Sequence, residues 1–299
     1  MPSRRHEFLA TAIPTLRKAR DLESEPAERA RVEALHRTRR RGLPTRAVPR
    51  FDKRFSVVIE DLGFASYVIT PRHLEPSRTL YYVHGGGFMT GIDAFQVRYA
   101  TRLASRLGAR VVLPDYPLAP EHTWRDSHDA LVEQAARFAT QPGGMVLAGD
   151  SAGGGLALAL ALSMRERELT PATHLVLHAP WVDLTTSTPE TRALDAIDPW
   201  LSYSKVTAYA AWWAGSADDL GRPEVSPALA DLHDLPRALQ LYGSRDLLAP
   251  GCRLLARRAA EAGWDLTSIE ERDLIHVYGI MPFIPEARRA TQQIVDFLT

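Results

Sequence analysis

The chain has 299 residues, of which 45% are hydrophobic, and this is enough for one large α/β domain or two small ones. Lysine plus arginine and aspartate plus glutamate number 36 each, so a formal net charge of zero provides no overall attraction to nucleic acid or anionic membranes. The single cysteine, Cys252, excludes an intrachain disulfide framework and a cysteine-based zinc cluster.

The N-terminal part of the chain is predicted to be helical and to carry no targeting segment. No apolar core of signal-peptide length follows Met1, and no stretch reaches the apolar length of a membrane span. We therefore expect a cytoplasmic protein without stable membrane insertion. Apolar residues at helical spacing predict helix from Glu7 to about Arg41. The helix is expected to break near Ser24, a possible cap, with Pro26 in the first turn of a second helix.

Strands and helices alternate through the rest of the chain. A turn at Asp61-Leu62-Gly63 is predicted to join the first two strands into a hairpin. The alternation predicts an α/β fold over residues 1–299, with a mostly parallel sheet and helices on both faces. Segments at about 1–45 and about 183–222 fall outside it and are expected to form a small helical cap over the carboxyl ends of the strands. The later strands are predicted at 80–83, 110–114, 145–148, 174–177, 238–242 and 266–269, and the helices at 94–107, 126–140, 156–162, 250–262 and 285–298.

Three consecutive glycines, Gly85, Gly86 and Gly87, follow the strand at 80–83. A loop without side chains brings backbone N–H groups close to a substrate, where they stabilise the negative charge of a carbonyl oxygen during acyl transfer. The N–H groups of Gly85 and Gly86 are therefore candidate oxyanion-hole donors, and His84 is expected to brace the loop. A flexible surface loop is the alternative. A phosphate-binding loop is disfavoured because the G-x-x-x-x-G-K-[ST] pattern and a nearby lysine are missing.

The sequence Gly149-Asp150-Ser151-Ala152-Gly153 lies between a predicted strand and a predicted helix. In that context G-x-S-x-G predicts a nucleophile elbow, a strained turn that presents the serine hydroxyl above the sheet. Gly149 and Gly153 are expected where a Cβ atom would collide with the neighbouring strand or helix. Ser151 is the candidate nucleophile, and the N–H of Ala152 is a candidate third oxyanion donor. A glycine-rich turn with an incidental serine remains the alternative.

A serine nucleophile needs a base, and the base needs a carboxylate to fix its tautomer. In this type of fold the chain order is serine, acid, histidine. His276, in a loop after the last predicted strand, is the candidate base. Asp246 follows the preceding strand and is the candidate acid, with Asp183 as its rival and helix capping as the alternative role. Structural roles are expected for His174 and His178, and His233 is disfavoured as the base because no strand precedes it.

The second cap segment contains an aromatic helix with Tyr209, Trp212 and Trp213. Tyr209 and Trp213 are four residues apart and share a helix face, whereas Trp212 lies off that face. Two interpretations fit equally well: the three side chains attach the cap to the body, or at least one of them closes the acyl pocket. We therefore treat all three as candidate substrate-pocket residues.

These motifs together resemble those of the hormone-sensitive-lipase-like family of α/β-hydrolase carboxylesterases. The similarity runs from about Leu80 to the C-terminus. It implies an eight-stranded sheet, a helical cap with an insertion after the sixth strand, hydrolysis of short- to medium-chain esters and no cofactor. Pro250 departs from the family pattern, which often has a second aspartate there. The motifs that carry the resemblance are His84-Gly85-Gly86-Gly87-Phe88, Asp115 to His122, Gly149 to Gly154, Val225-Ser226-Pro227, and Asp246 with His276.

The sequence therefore predicts a serine carboxylesterase that works through an acyl-enzyme on Ser151, His276 and Asp246. Its expected partner is a small-molecule ester, with no metal, no cofactor and no nucleic acid, and a homo-oligomer is compatible with the sequence. One alternative is an amidase or deacetylase with the same triad. Another is a catalytically silent ligand receptor like the plant gibberellin receptors, which resemble this family but lack the histidine. The presence of His276 disfavours the receptor.

Overall fold

An eight-stranded sheet forms the centre of the protein in a computed structural model that describes residues 1–16 and 22–299. Its strands are β1 (Phe55–Asp61), β2 (Ala65–Pro71), β3 (Arg78–Val83), β4 (Ala109–Pro114), β5 (Met145–Asp150), β6 (His174–His178), β7 (Ala238–Gly243) and β8 (Leu266–Glu271). They lie side by side in the order β1-β2-β4-β3-β5-β6-β7-β8. β2 pairs antiparallel with β1 and β4, and the other pairings are parallel. The predicted mostly parallel α/β sheet, with a hairpin at one edge, is confirmed.

Helices cover both faces of this sheet. The described helices are α1 (Arg4–Leu16), α2 (Glu25–Thr38), α3 (Phe51–Arg54), α4 (Ala94–Leu107), α5 (His128–Ala139), α6 (Ala152–Glu166), α7 (Glu190–Leu194), α8 (Tyr203–Ala214), α9 (Ala249–Glu261) and α10 (Pro285–Leu298). Among the described residues, no helix combines the length and the apolar character needed to span a bilayer.

The alternating side chains of β3 show how the sheet separates two cores. Tyr81 and Val83 pack into a core that includes the apolar residues of α5 and α6. Leu80 and Tyr82 pack into a second core with α4 and α10. A strand directs successive side chains to opposite faces, so a strand that is apolar at every position is buried on both sides. The continuous apolar character of the central strands follows from this arrangement.

The N-terminal helices follow the predicted capping pattern. The Ser24 hydroxyl accepts a hydrogen bond from the Ala27 N–H at 3.3 Å, and Pro26 lies in the first turn of α2. Proline is tolerated there because the first helical N–H groups have no partner within the helix. The part of the predicted helical segment at residues 17–21 lies outside the described residues.

The two segments outside the α/β alternation contact each other. The second of them, between β6 and β7, contains α7 and α8. The Leu22 N–H donates to the Ser204 hydroxyl at 3.0 Å, and the Trp212 indole donates to Glu25 at 2.8 Å. Helix α2 therefore packs on α8, so the N-terminal segment and the insertion are joined in space.

Candidate active site

Ser151 occupies a sharp turn between β5 and α6. Its φ and ψ of 53° and −126° are unusual for a residue with a side chain. A Cβ at Gly149 would lie 2.2 Å from the Gly153 carbonyl oxygen, and a Cβ at Gly153 would lie 2.2 Å from the Val83 carbonyl oxygen. Only glycine fits at either position without moving the backbone. The G-x-S-x-G pattern is thus a steric requirement of this turn, which holds Ser151 at the carboxyl end of the sheet.

The structure brings Ser151, His276 and Asp246 into one hydrogen-bonded chain. His276 Nε2 lies 2.8 Å from Ser151 Oγ, and His276 Nδ1 lies 2.7 Å from Asp246 Oδ2. The residues are 8%, 2% and 0% exposed, respectively. A carboxylate that accepts the Nδ1 proton leaves Nε2 as a lone-pair acceptor facing the serine hydroxyl. This is the arrangement required to activate a serine nucleophile.

The surroundings of His276 favour its protonated form. Burial lowers the pKa of its imidazole, but the Asp246 carboxylate raises it, and Asp198 and Asp150 raise it further, so the pKa lies above the ordinary 6.5. The nearest of these carboxylates is hydrogen-bonded to Nδ1. A base with a raised pKa holds the serine proton more firmly once it has accepted it.

The glycine loop after β3 is fixed to the elbow through Asp150. The buried Asp150 carboxylate accepts hydrogen bonds from the Tyr82 hydroxyl at 2.6 Å, the Gln96 amide at 3.1 Å and the Gly85 N–H at 3.0 Å. A Cβ at Gly85 would lie 2.4 Å from that carboxylate. The Gly85 N–H is therefore used inside the protein, which differs from the expectation that it donates to a substrate oxygen.

Three backbone N–H groups remain as oxyanion-hole candidates. Within residues 1–16 and 22–299, those of Gly86, Gly87 and Ala152 have no hydrogen-bond partner. Gly86 and Gly87 have φ of 127° and 62°, which glycine adopts readily. Ala152 is the first residue of α6, where the helix leaves its N–H groups unpaired. Gly87 therefore replaces Gly85 among the candidate donors.

The rival residues lie in structural networks. The Asp183 carboxylate accepts from the N–H groups of Thr185 and Ser187, both at 3.0 Å, and closes a local turn. The His84 ring stacks on Tyr116 at 4.3 Å between centroids, and Tyr116 donates to the His84 carbonyl oxygen at 2.8 Å. The His84 contacts agree with the bracing role that the sequence favours for it, and Asp183, the rival acid, is hydrogen-bonded within its own turn.

The remaining downstream histidines also have other partners. His178 accepts from or donates to Tyr99 at 2.8 Å, and burial lowers its pKa to about 4, so it is neutral at physiological pH. His233 pairs with Asp231 on the surface, and the His174 ring contacts Phe297 edge-on at 5.4 Å. Among the described residues, no group of three or more histidine, cysteine, aspartate or glutamate side chains is arranged to hold a metal ion.

The three cap aromatics have different surroundings. Trp213 is 1% exposed and stacks on Phe88 with 4.2 Å between centroids and 1° between planes. Trp212 lies beside Tyr209, at 5.6 Å between centroids. The Tyr209 ring is 3.3 Å from where a Gly87 Cβ would be. Of the three, Tyr209 thus lies directly over the glycine loop.

A family model for the alpha/beta hydrolase fold matches residues 80–280. The chain belongs to this family. It is 30% identical over 228 residues to an acetyl-hydrolase of Streptomyces hygroscopicus, covering 75% of this chain and 76% of that one. It is 29% identical over 227 residues to an esterase of Acinetobacter venetianus, covering 75% of each chain.

The solved structures agree with these sequence relatives. An esterase from the bacterial hormone-sensitive lipase family superposes with a TM-score of 0.82 at 25% identity, covering 100% of this chain and 98% of that one. The resemblance to hormone-sensitive-lipase-like α/β hydrolases is confirmed. These relatives are named esterases or an acetyl-hydrolase, and the predicted enzyme class, carboxylic ester hydrolase, is confirmed.

The sequence does not reveal the role of Asp150 in joining the glycine loop to the elbow. An acidic residue between Gly149 and Ser151, directly after an apolar strand, was the available signal, because a carboxylate buried there needs hydrogen-bond donors. Its donors come from β3, the glycine loop and α4. Their distance along the chain explains why the motif alone does not reveal them.

Proposed function

We propose that this hydrolase cleaves carboxylic esters with short to medium acyl chains through an acyl-enzyme on Ser151. The observation that carries the proposal is the hydrogen-bonded chain from Ser151 Oγ through His276 to Asp246. Ser151 is the nucleophile, His276 is the base and then the acid, and Asp246 orients His276. The N–H groups of Gly86, Gly87 and Ala152, unpaired among the described residues, support the proposal further, as candidate donors to the oxyanion.

The first half-reaction forms the acyl-enzyme. Ser151 Oγ bonds to the ester carbonyl carbon while its proton moves to His276 Nε2, and the carbonyl oxygen becomes an oxyanion. The N–H groups of Gly86, Gly87 and Ala152 stabilise this oxygen, each contributing a few kcal/mol to lowering the barrier. The tetrahedral intermediate then expels the alcohol, which takes the proton from His276.

The second half-reaction returns the enzyme to its starting state. Water donates a proton to His276 Nε2 and attacks the acyl carbon. The second tetrahedral intermediate releases the carboxylic acid and restores the Ser151 hydroxyl. Asp246 stays ionised throughout and stabilises the imidazolium that forms in each half-reaction.

We further propose that residues of about 1–45 and about 183–222 form the cap that bounds the acyl site. The contact of α2 with α8, and the position of Tyr209 over Gly87, support this assignment. The name of the Streptomyces hygroscopicus relative, an acetyl-hydrolase, supports a small acyl group. We expect a small-molecule ester as the partner and retain the cytoplasm as the proposed location, which cell fractionation tests.

Covalent labelling tests the proposed mechanism. An organophosphonate should form one adduct on Ser151 in the wild-type protein, seen by peptide mass spectrometry, and none in Ser151→Ala. A panel of nitrophenyl esters with acyl chains of graded length, together with matched anilides, then measures chain-length preference and the ratio of ester to amide cleavage. An unlabelled Ser151 in folded protein, or faster cleavage of anilides than of esters, would contradict the proposal.

A further inference from the structure

Asp198 is a buried carboxylate in the segment between α7 and α8. It is 8% exposed. Its Oδ1 accepts hydrogen bonds from the N–H groups of Trp200 at 2.7 Å and Leu201 at 3.0 Å. Its Oδ2 accepts from the Leu247 N–H at 2.7 Å. One side chain thus joins the insertion to a loop of the α/β body.

Both ends of this bridge lie beside members of the candidate triad. Leu247 directly follows Asp246, so the bond to Oδ2 holds the backbone that carries the acid. Trp200 contacts the His276 ring edge-on, with 5.6 Å between centroids and 83° between planes. The bonds to Oδ1 hold the turn from which this indole extends. One carboxylate oxygen therefore supports the loop of Asp246, and the other supports the turn that carries Trp200, which contacts His276.

A turn alone does not account for a carboxylate at this position. Oδ1 satisfies the turn, and a serine or asparagine would do so without burying a charge. Burial and the neighbouring Asp246 carboxylate raise the pKa of Asp198 to about 6, although His276 and the hydrogen bonds from Leu247 and Leu201 oppose this. Holding two carboxylates near each other costs stability. Such a cost is typical of groups kept for function.

We propose that Asp198 is a positioning residue for the acid–base pair, fixing the Asp246 loop through Leu247 and the indole of Trp200 against His276. This inference rests on the proposed function of Ser151, His276 and Asp246. It makes the insertion part of the catalytic apparatus as well as a cover over the substrate.

The proposal has a signature in the pH profile. The charged groups that act on His276 are Asp246, Asp198 and Asp150, and each raises its pKa against the opposing effect of burial. Those that act on Asp198 are Asp246 and His276. His276 must be neutral to accept the serine proton, so kcat/KM should fall as pH drops through a His276 pKa above 6.5. Because the Asp198 charge raises the pKa of His276, removing it lowers that pKa. The acidic limb of the profile, where kcat/KM falls as pH drops, then moves to lower pH.

Asp198→Asn tests the proposal, with Asp195→Asn as the matched control. Asp195 lies in the same segment and accepts a hydrogen bond from the Tyr203 N–H at 2.6 Å. It has no contact with the Asp246 loop among those described. We expect Asp198→Asn to lower kcat at pH 8 about 10- to 100-fold, because small misplacements of reacting groups have effects of this size. KM should change less than about threefold, since substrate binding is left intact.

Two further variants separate charge from position. Asp198→Glu keeps the charge but displaces it, so kcat should fall while the acidic limb stays near the wild-type pH. Asp198→Ser can still close the turn without a charge, and it replaces Asp198→Asn if the latter fails to fold by near-ultraviolet circular dichroism. Its acidic limb should move to lower pH.

The outcomes distinguish this inference from the proposed function. If wild-type Ser151 is not labelled by an organophosphonate, the proposed function fails. If Ser151 is labelled but Asp198→Asn matches Asp195→Asn in kcat and in pH profile, only the role of Asp198 is overturned. A fall in kcat with an unmoved acidic limb in both uncharged variants would likewise reduce Asp198 to a structural residue.

Discussion

The two halves of the site are held in place by different means. Ser151 lies in the middle of the sheet, and the close contacts around Gly149 and Gly153 fix its turn. His276 and Asp246 lie in loops after β8 and β7, toward one edge of the sheet. Their loops are tied from outside the α/β alternation: the Ile275 N–H donates to His6 Nε2 at 3.2 Å, and the Leu247 N–H donates to Asp198.

The position of Ser151 is thus specified mainly by its own motif, whereas the positions of His276 and Asp246 depend on residues far away in the chain. The turn at Ser151 is specified by glycines within two positions of the serine, which pack against each other and against the end of β3. The loop of His276 instead depends on a histidine 269 positions before Ile275. Changes at the elbow should therefore act on the chemistry or the fold directly. Changes at His6 or Asp198, which hold the two loops, should leave His276 and Asp246 in the protein but disturb their alignment. Variants at Ser151, Asp246, His6 and Tyr209 test this contrast, in decreasing order of expected effect.

Ser151→Ala should abolish ester hydrolysis, lowering kcat on the order of 10⁶-fold. Alanine removes only the Oγ atom, and the turn is held by the glycines on either side. Steady-state kinetics with a nitrophenyl ester measure the loss, and circular dichroism and thermal unfolding should match the wild type. Turnover above the background of an identically purified blank would place the nucleophile elsewhere.

Asp246→Asn should lower kcat by up to about 10⁴-fold, because an amide beside Nδ1 stabilises the wrong histidine tautomer. Asp183→Asn is the matched control, since its carboxylate closes a local turn and does not contact His276. We expect the control to stay within about threefold of the wild type in kcat. A larger loss for Asp183→Asn than for Asp246→Asn would exchange the two roles.

The contrast between the halves also explains what the sequence predicts. The elbow follows from Gly149, Ser151 and Gly153 because the glycines that meet its steric constraints lie within two positions of the serine. Asp246 and His276 follow from the order of strands, since the carboxyl ends of parallel strands meet at one edge of the sheet. The strand–helix alternation predicts the sheet for the same reason: each strand and each helix is defined by a local apolar pattern.

The parts that the sequence does not reveal depend on contacts between distant residues. The bond from Gly85 to Asp150 joins positions 65 residues apart and removes one expected oxyanion donor. Asp198 and His6 have no motif around them, and each is recognised only once the loops it supports are in place. A single sequence does not encode such pairings as a local pattern.

His6→Ala should lower kcat about tenfold, a smaller effect than loss of a triad member. Burial lowers the pKa of His6, so its ring is neutral and Nε2 accepts from the Ile275 N–H. Removing the ring leaves that N–H buried without a partner, which costs about 1–3 kcal/mol of stability. His6→Gln is the control, because its amide oxygen offers a replacement acceptor and should recover part of both losses.

Kinetics at a temperature well below the unfolding transition separate alignment from stability. If His6→Ala is destabilised but keeps the wild-type kcat there, the tether contributes only to folding. Equal behaviour of His6→Ala and His6→Gln would show that the Ile275 hydrogen bond does not matter for the alignment of His276.

The smallest expected effect is on substrate preference rather than rate, and it concerns Tyr209. Its ring lies over Gly87, and its hydroxyl donates to Glu28, which also binds Arg31 at 2.6 and 2.8 Å. This network fixes the ring beside the proposed oxyanion hole. Tyr209→Ala should therefore move the optimal acyl chain of nitrophenyl esters to longer lengths, with each newly accommodated methylene gaining roughly 0.8 kcal/mol.

The neighbouring aromatics provide the controls, because their surroundings differ. Trp213 is stacked on Phe88 in the core, so Trp213→Ala should lose about 3–5 kcal/mol of stability and keep the chain-length profile. Tyr209→Phe keeps the ring but loses the bond to Glu28, so its profile should stay near the wild type with a modest loss of stability. Suppose instead that Tyr209→Ala keeps the wild-type chain-length preference and only unfolds at a lower temperature. Tyr209 would then join Trp213 in attaching the cap to the body, and the wall that limits the acyl chain would lie elsewhere.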